Sequence, residues 1–265
     1  MLLKNKVAVI YGGSGAIGSA VARSMAREGA QVWLGACQQD KLERIVSDIR
    51  AAGGVAEAFI VDALDEPDMI AQTAQLAQRT GGFDVVVNAT GFMHDQGKTV
   101  AQLGLAEFLQ GITPFLSAQF TIAKAVSPHM GGERRGVILS VVAPAGAMAI
   151  AGHSGHLVGC AATEAFTKAL AVELASRQIR VICLRSHAIV DAVQAGSYTG
   201  EIFAAKAQEM GLSIDEWLEG AAQSTMLKRL PTLAEVAEVM TFLASESASA
   251  MTATVVNMTA GATTG

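Results

Sequence analysis

The sequence predicts an α/β fold, a doubly wound parallel sheet of seven strands with helices on both faces. Short runs rich in β-branched residues alternate with segments of helical periodicity, which is typical of a parallel sheet with helical crossover connections. The chain has 265 residues, of which 51% are hydrophobic and 16% are charged. It is therefore long enough to bury a complete core, and its composition is not that of a disordered protein.

The predicted strands are short apolar segments that recur along the chain. They cover residues 7–10, 32–34, 58–61, 85–88, 137–141, 181–184 and 255–257. Between the first two strands, Ile17, Val21 and Met25 recur at helical spacing and predict a helix that packs one apolar stripe on the sheet. Near the C-terminus, Thr232 and Glu235 form a capping-box pattern that predicts the start of another helix.

We expect a single domain over residues 1–265, because no repeat, low-complexity tract or proline-rich linker divides the chain. Residues 192–230 interrupt the alternation with two polar-faced helices, 201–210 and 213–222. The second begins with a capping-box pattern, Ser213-Ile-Asp-Glu216. We interpret this segment as a mobile flap inserted over the carboxyl end of the sheet, where such sheets bind their ligands.

Charge and cysteine content argue against several classes of function. The net charge is −5 without a lysine–arginine cluster, so we expect no nucleic-acid partner. Cys37, Cys160 and Cys183 are an odd number without metal-ligand spacing, so neither a disulfide framework nor a metal site is expected. Residues 136–163 lack charged side chains but contain Pro144 and several glycines, which indicates a buried strand and helix rather than a membrane span. Without a signal peptide, the protein is expected to be cytoplasmic.

A glycine-rich turn, Gly12-Gly-Ser-Gly-Ala-Ile-Gly18, joins the first strand to the first helix. Glycines here let the backbone approach a pyrophosphate, whose charge the helix N-terminus stabilises. Because the pattern lies between a predicted strand and a predicted helix, we expect a dinucleotide site. A tight turn without a ligand is the alternative. The candidate cofactor-binding residues of the turn are Gly12, Ser14, Gly15, Ile17 and Gly18.

Together with this turn, four further segments resemble the short-chain dehydrogenase/reductase family in the same order along the chain. Asp62 ends the third strand, Asn88-Ala-Thr-Gly91 follows the fourth, residues 166–174 resemble the family's dimer-forming helix, and residues 252–261 are similar to its closing strand. The resemblance implies a Rossmann-type fold, NAD or NADP as cofactor, a small-molecule substrate and a homodimer or homotetramer. It also implies cofactor contacts beyond the turn, from Cys37, Asp62, Ala63, Asn88, Ala89, Thr90 and Ile189.

The choice between NAD and NADP is left open by the sequence. An acidic residue at the end of the second strand selects NAD, and a nearby arginine accommodates the phosphate of NADP. This chain has Ala36 and Cys37 at those positions, and Gly15 replaces the basic residue that many NADP users carry in the turn. Ala16 stands where the family has its middle glycine, which should weaken pyrophosphate binding. We expect weak or relaxed cofactor choice.

The catalytic set of the family is absent. The family uses a serine after the fifth strand and a Tyr-x-x-x-Lys pair in the next helix, in which the tyrosine exchanges a proton with the substrate oxygen and the lysine lowers the tyrosine pKa. Here Ala143 replaces the serine, His156 the tyrosine and Cys160 the lysine. For the family's helical asparagine, Gly111 and Thr113 are the nearest candidates.

Few residues could replace the missing proton donor. The chain's two tyrosines, Tyr11 and Tyr198, are not followed by lysine four residues later. An imidazole titrates near neutrality, so His156 could carry the proton, with activity following a titration near pH 6–7. Ser140 and Ser154 lie close in sequence to the lost serine and could bind a substrate oxygen. The candidate catalytic residues are therefore His156, Ser140 and Ser154.

Other interpretations of these residues stay open. Residues 155–162 could be a small-residue helix face packed at a dimer interface, and the apolar stretch that follows also favours self-association. His156 and Cys160 share a helix face and could form a nucleophilic pair, although no third orienting group is evident. Arg185 could bind an anionic group or cap a helix, and the segment His94-Asp95 is expected in a solvated loop.

Three functions fit the sequence. The leading one is an oxidoreductase that transfers a hydride between NAD(P)(H) and a small carbonyl or alcohol, with a non-standard proton donor. The second is a catalytically silent nucleotide-binding or scaffold homologue. The third is an isomerase, dehydratase or lyase that uses the same cleft. A thermal shift caused by the nicotinamide cofactor, with a screen that records both absorbance and product mass, would separate them.

Overall fold

A computed structural model, which describes residues 1–264, confirms the predicted architecture. Its strands are β1 (Val7–Tyr11), β2 (Gln31–Ala36), β3 (Val55–Ile60), β4 (Val85–Asn88), β5 (Gly136–Val142), β6 (Ile179–Ser186) and β7 (Thr254–Met258). They form one sheet in the order β3-β2-β1-β4-β5-β6-β7, and all neighbouring pairs are parallel. This is the doubly wound, Rossmann-type order, in which the chain turns from one half of the sheet to the other between β1 and β4.

Helices cover both faces of the sheet. They are α1 (Ala16–Arg27), α2 (Gln39–Ala51), α3 (Glu66–Thr80), α4 (Leu105–Gln110), α5 (Thr113–Val126), α6 (Ser154–Leu174), α7 (Thr199–Glu209), α8 (Ile214–Gln223) and α9 (Leu233–Ala244). Helices α1, α2 and α9 pack on one face, and α3, α5 and α6 pack on the other. None of the helices within residues 1–264 is long and apolar enough to cross a membrane.

The core lies on both faces of the sheet because successive strand side chains point to opposite sides. In β1, Val9 packs toward α3, α5 and α6, whereas Ile10 packs toward α1, α2 and α9. A parallel sheet that is covered on both faces reads as continuous apolar runs, which is why most strands were detectable in the sequence. Strand β3 begins three residues before its predicted start, because Glu57 interrupts the apolar run of this edge strand.

The 192–230 segment contains two helices, as predicted, with bounds that differ by one or two residues. Ser213 accepts a hydrogen bond from the Glu216 N–H and the Glu216 carboxylate accepts one from the Ser213 N–H, so the capping box of α8 is complete. Thr232 and Glu235 form the same arrangement at the start of α9. Helix α8 contributes Leu218 and Ala222 to a small apolar cluster that also contains Leu230.

The outer surfaces of α5 and α6 expose several apolar side chains. Phe120, Val158 and Val172 are each more than two fifths exposed. Exposed apolar groups on adjacent elements favour an interface with another molecule. This is consistent with the expected self-association through residues 157–174, which stays a prediction.

Candidate active site

A cavity of about 610 Å³ opens at the carboxyl ends of β4, β5 and β6. Doubly wound sheets bind their ligands at this edge. Helix α6 forms one wall, and α7 and α8 form the opposite one. Its apolar lining residues are Phe115, Met148, Ile150, Leu157, Ile202, Phe203, Met210, Leu212 and Trp217. Among the described residues that line it, Lys206 and Glu216 carry charges, so the cavity is suited to a mainly apolar molecule.

The glycine turn has the backbone geometry that a phosphate site requires. Gly12 has a φ of +75°, and a Cβ on it would lie 2.5 Å from the carbonyl oxygen of Ala89. A larger residue could therefore not be placed where β1 and β4 end side by side. Gly15 is the N-cap of α1 and makes no side-chain capping bond, so the first N–H groups of the helix remain available for an anion.

The other candidate cofactor residues divide into two groups. Ile17, Asn88, Ala89, Thr90 and Ile189 line the cavity. The Asn88 carboxamide oxygen accepts hydrogen bonds from the Thr90 N–H at 3.0 Å and the Thr90 hydroxyl at 2.7 Å, which fixes the turn after β4.

The second group lies outside the cavity, beyond the ends of β2 and β3. Its members are Cys37, Asp62 and Ala63. Cys37 is exposed, and partial burial together with the charges of Asp62 and Asp68 raises the pKa of its thiol. Both carboxylates therefore lie close enough to the end of β2 to act on Cys37 by charge.

His156 lies at the cavity wall, where its ring stacks on that of His94. The ring centroids are 3.6 Å apart and the planes differ by 6°. Burial, together with charge repulsion from His94 and His153, lowers the pKa of His156 to about 3. The titration near pH 6–7 expected from the sequence is therefore wrong, because the buried site cannot solvate an imidazolium ion.

Asp95 holds this arrangement in place by capping α6. Its Oδ2 accepts a hydrogen bond from the Gly155 N–H at 2.8 Å, and its Oδ1 accepts one from the His156 N–H at 2.7 Å. A carboxylate at a helix N-terminus also interacts favourably with the helix dipole. The expectation of a solvated loop at His94 and Asp95 is wrong, since Asp95 is only 3% exposed.

Close packing around this cap depends on glycines. A Cβ on Gly111 would lie 2.5 Å from Asp95 Oδ1. One on Gly155 would collide with the Phe108 carbonyl oxygen, and one on Gly159 with that of Gly111. These two glycines of α6 therefore pack within the chain, against the segment that precedes α5, rather than at the dimer interface considered from the sequence.

Cys160 lies next to His156 but does not form an activated pair with it. Cys160 Sγ is 3.6 Å from His156 Nε2. Burial raises the pKa of Cys160 to about 12 and lowers that of His156 to about 3, so both groups are neutral near pH 7. A thiolate is required for nucleophilic attack, and this geometry does not generate one.

The two candidate serines do not reach the cavity. Ser140 is buried within β5, which lies between β4 and β6. The part of β5 that lines the cavity begins at the next residue, Val141. Ser154 begins α6 and also lies outside the lining. Gly111 and Thr113, the candidates for the family's helical asparagine, do not line the cavity. Phe115 of α5 does line it, and its ring centroid lies 5.9 Å from that of His156.

Arg185 is engaged by a carboxylate instead of binding a ligand or capping a helix. Its Nε donates to Glu164 Oε1 at 2.7 Å and its Nη2 donates to Glu164 Oε2 at 2.8 Å. This fork connects β6 to α6 beneath the cavity. Arginine and carboxylate groups match in shape, which makes such a bidentate pair strong and directional.

Among the polar residues of the cavity that sequence reasoning missed, His187 and Tyr198 bear most on its chemistry. His187 follows β6, and its Nδ1 accepts the Ala188 N–H at 2.7 Å, which leaves the ring proton on Nε2. That Nε2 is buried without a hydrogen-bond partner among residues 1–264. Tyr198 lies across the cavity, over Gly91. The available signal for His187 was its position directly after a central strand. No local pattern in the sequence predicts that Tyr198 lies at the cavity.

We predict that Asp95→Ala lowers the free energy of unfolding by about 1–2 kcal/mol, the usual worth of a helix cap. Urea unfolding measures this. Asp65→Ala is a matched control, because Asp65 caps α3 by accepting the Asp68 N–H at an exposed position away from the cavity. Both variants should lose stability, but only Asp95→Ala should change the near-ultraviolet circular dichroism of the aromatic groups at the site. An unchanged spectrum and unchanged stability would contradict the capping role.

We also predict a pH dependence of stability that His156 causes. Its folded pKa of about 3 lies below the value of about 6.5 in an unfolded chain, so between these values only the unfolded state binds the proton. Stability should fall as the pH decreases below about 6.5, by at most about 1.4 kcal/mol per pH unit for this group. His156→Phe should reduce that slope in urea unfolding, and equal slopes for both proteins would refute the assignment.

Comparisons with known proteins agree with the fold. A family model described as enoyl-(acyl carrier protein) reductase matches residues 13–263. The uncharacterized oxidoreductase YxbG of Bacillus subtilis is 32% identical over 250 residues, which are 94% of this chain and 88% of that protein. The 2,3-dihydro-2,3-dihydroxybenzoate dehydrogenase of the same species is 29% identical over 266 residues, covering 99% of this chain and 98% of that enzyme.

Solved structures with the same fold include an NAD⁺-bound xylitol dehydrogenase, with a TM-score of 0.87 and 21% identity over 97% of this chain and 98% of that one. A mutant short-chain dehydrogenase/reductase from Serratia marcescens has a TM-score of 0.83 and 22% identity over 100% of both chains. At these identities the two structures support the fold alone. The family model covers nearly the whole sequence and one relative exceeds 30% identity. The chain therefore belongs to the short-chain dehydrogenase/reductase family.

Proposed function

We propose that the protein transfers a hydride between NAD(P)(H) and a small carbonyl or alcohol substrate, with a proton donor other than the family's tyrosine–lysine pair. One observation carries the proposal. Ile17, Asn88 and Thr90, which are candidate cofactor residues, line the same cavity as His156 and Trp217. A cofactor held by Ile17, Asn88 and Thr90 would have its nicotinamide in the same space in which His156 and Trp217 contact a substrate.

The residues of this chain fit a dinucleotide. The glycine turn and the uncapped N-terminus of α1 would hold the pyrophosphate through free backbone N–H groups. The space beside Gly15 is open, because a Cβ there would meet nothing closer than the Gly12 carbonyl oxygen at 3.3 Å. Asn88, Ala89 and Ile189 would bind further along the cofactor. When bound, the nicotinamide supplies or accepts the hydride.

Two carboxylates near the end of β2 bear on the choice of cofactor. Burial and then the charges of Asp62 and Asp68 raise the pKa of the Cys37 thiol, and the same two charges would repel the additional phosphate of NADP. We therefore expect NADH to bind more tightly than NADPH. The same Asp62 would contact the adenosine half of the cofactor, as the family resemblance implies.

The substrate should have an apolar body and an uncharged reacting oxygen. The cavity is lined mainly by apolar side chains, and burial lowers the pKa values of His94, His156 and His187 while it raises that of Cys160. These groups are neutral near pH 7, so they bind a ligand by hydrogen bonds rather than by charge. His156 then acts as a hydrogen-bonding ring, and Ser140 and Ser154 take no part.

A catalytically silent nucleotide-binding protein is the second candidate. The observation that favours it is that His156 and Cys160 are both uncharged near pH 7. We align these residues with the family's tyrosine and lysine, and neither of them titrates near neutrality. A silent protein would show a thermal shift with NADH but would not oxidise NADH with any member of a panel of small apolar aldehydes and ketones. A hydride-transferring enzyme would do both.

The proposal predicts that Gly15→Asp weakens NADH binding at least about tenfold, which corresponds to about 1.4 kcal/mol. The added carboxylate would repel the pyrophosphate, while an aspartate at this N-cap should keep or increase helix stability. The measurement is the thermal shift as a function of NADH concentration, followed by consumption of NADH with the carbonyl panel.

Gly15→Asn is the matched control because it has the same size without the charge and should retain more of the NADH affinity. Gly12 is less suitable, since any side chain there would collide with the backbone of Ala89. If Gly15→Asp binds NADH as tightly as Gly15→Asn does, the turn is not the phosphate site.

A further inference from the structure

Tyr198 occupies an unusual position between the 192–230 segment and the sheet. Its ring lies against Gly91, the last residue of the Asn88-Ala-Thr-Gly91 segment. A Cβ on Gly91 would lie 2.7 Å from the Tyr198 Cζ and 2.9 Å from its hydroxyl oxygen. The absence of a side chain at residue 91 therefore lets the phenol enter the cavity from the wall opposite α6.

The hydroxyl of Tyr198 forms no hydrogen bond with another group within residues 1–264. The hydroxyl groups of its neighbours, Ser197 and Thr199, bond to each other at 2.9 Å. Desolvation, together with the charge of the Cys160 thiol, raises the pKa of Tyr198 to about 12. Tyr198 is 39% exposed and lines the same cavity as Cys160 and His156.

The second tyrosine of the chain cannot serve the cavity. Tyr11 is completely buried, and its hydroxyl is hydrogen-bonded to that of Thr73 at 2.8 Å, within the core between the sheet and α3. Since the sequence contains two tyrosines, Tyr198 is the phenol that reaches the cavity. Its hydroxyl is not used by another group within residues 1–264, so it is available to hydrogen-bond a ligand in the cavity.

We propose that Tyr198 donates the proton to the substrate oxygen, so that the phenol missing from α6 is supplied by the 192–230 segment. This inference rests on the proposed function. The carbonyl carbon gains a hydride from reduced nicotinamide, the carbonyl π bond breaks toward oxygen, and that oxygen takes the phenolic proton as the O–H bond of Tyr198 breaks. The products are an alcohol, oxidised nicotinamide and a phenolate, which water reprotonates.

The phenol is suited to this step without a neighbouring lysine. A pKa of about 12 keeps Tyr198 protonated near neutral pH, yet it is still more acidic than an aliphatic alcohol, so transfer to the forming alkoxide is downhill. His156 is less suited, because with a pKa of about 3 its imidazolium form is not populated at that pH. The reverse reaction would need the scarce phenolate as a base, so reduction should be favoured over oxidation.

A spectroscopic test does not depend on turnover. Acetophenone offers an apolar ring and one carbonyl group, and its C=O stretching frequency falls when the oxygen accepts a hydrogen bond. We expect infrared difference spectra of acetophenone bound to the cofactor-free protein to show a lower frequency than with Tyr198→Phe. Tyr11→Phe is the matched control, because it removes the phenol that is bonded to Thr73 in the core and should leave the frequency unchanged.

Equal frequencies with the unaltered protein and with Tyr198→Phe would overturn the proposal, as would the lack of any saturable bound carbonyl band. Tyr198→Phe retains the ring that packs on Gly91, so it should fold. If it does not, Gly91→Ala is the second variant, since it displaces the ring and should raise the carbonyl frequency in the same way.

Turnover distinguishes this inference from the function on which it rests. With a carbonyl compound that the unaltered protein reduces, Tyr198→Phe should lower kcat about 10²–10⁴-fold, the usual effect of losing a positioned acid, with little change in KM. Unchanged kcat in this variant would refute the role of Tyr198 and leave the oxidoreductase standing. A frequency difference without turnover of any compound would refute the oxidoreductase and leave Tyr198 as a donor to carbonyl ligands.

Discussion

The contact between the Asp95 carboxylate and the first backbone N–H groups of α6 determines how the candidate site is arranged. It joins residues 60 and 61 positions apart in sequence and is buried. The cap places the residue before Asp95, His94, beside His156, where the two rings stack, and burial is the main cause of the lowered pKa of His156. Gly111 is required at the same point, because a side chain there would displace the carboxylate.

The chemical consequence of this packing is a cavity whose inner groups are neutral. Transferring an isolated charge out of water costs several kcal/mol, so buried groups without an ion partner adopt their uncharged forms. His156 and Cys160 follow this rule. Such a cavity suits a reaction in which hydrogen-bond donors stabilise an oxygen that becomes negative, as in the carbonyl reduction that we propose.

The sequence predicted the sheet well because a parallel sheet covered on both faces needs long apolar runs, and the glycine turn has a local mechanism. It failed at the start of the edge strand β3, where Glu57 interrupts the apolar run. It failed more seriously at Asp95, whose role depends on a contact with Gly155 that no local pattern encodes. Ser140 was a candidate because of its closeness in sequence to the lost serine, but it lies within β5, before the part that lines the cavity.

The central claim is that this cavity holds a hydride-transfer reaction, and isotope transfer tests it most directly. The protein would be incubated with NADH that carries deuterium at the transferable position, together with the panel of small apolar aldehydes and ketones, and the products would be weighed by mass spectrometry. The account predicts an alcohol that contains one deuterium bound to carbon. A product of unchanged oxidation level, or an alcohol without the label, would contradict it and favour an isomerase or lyase in the same cleft.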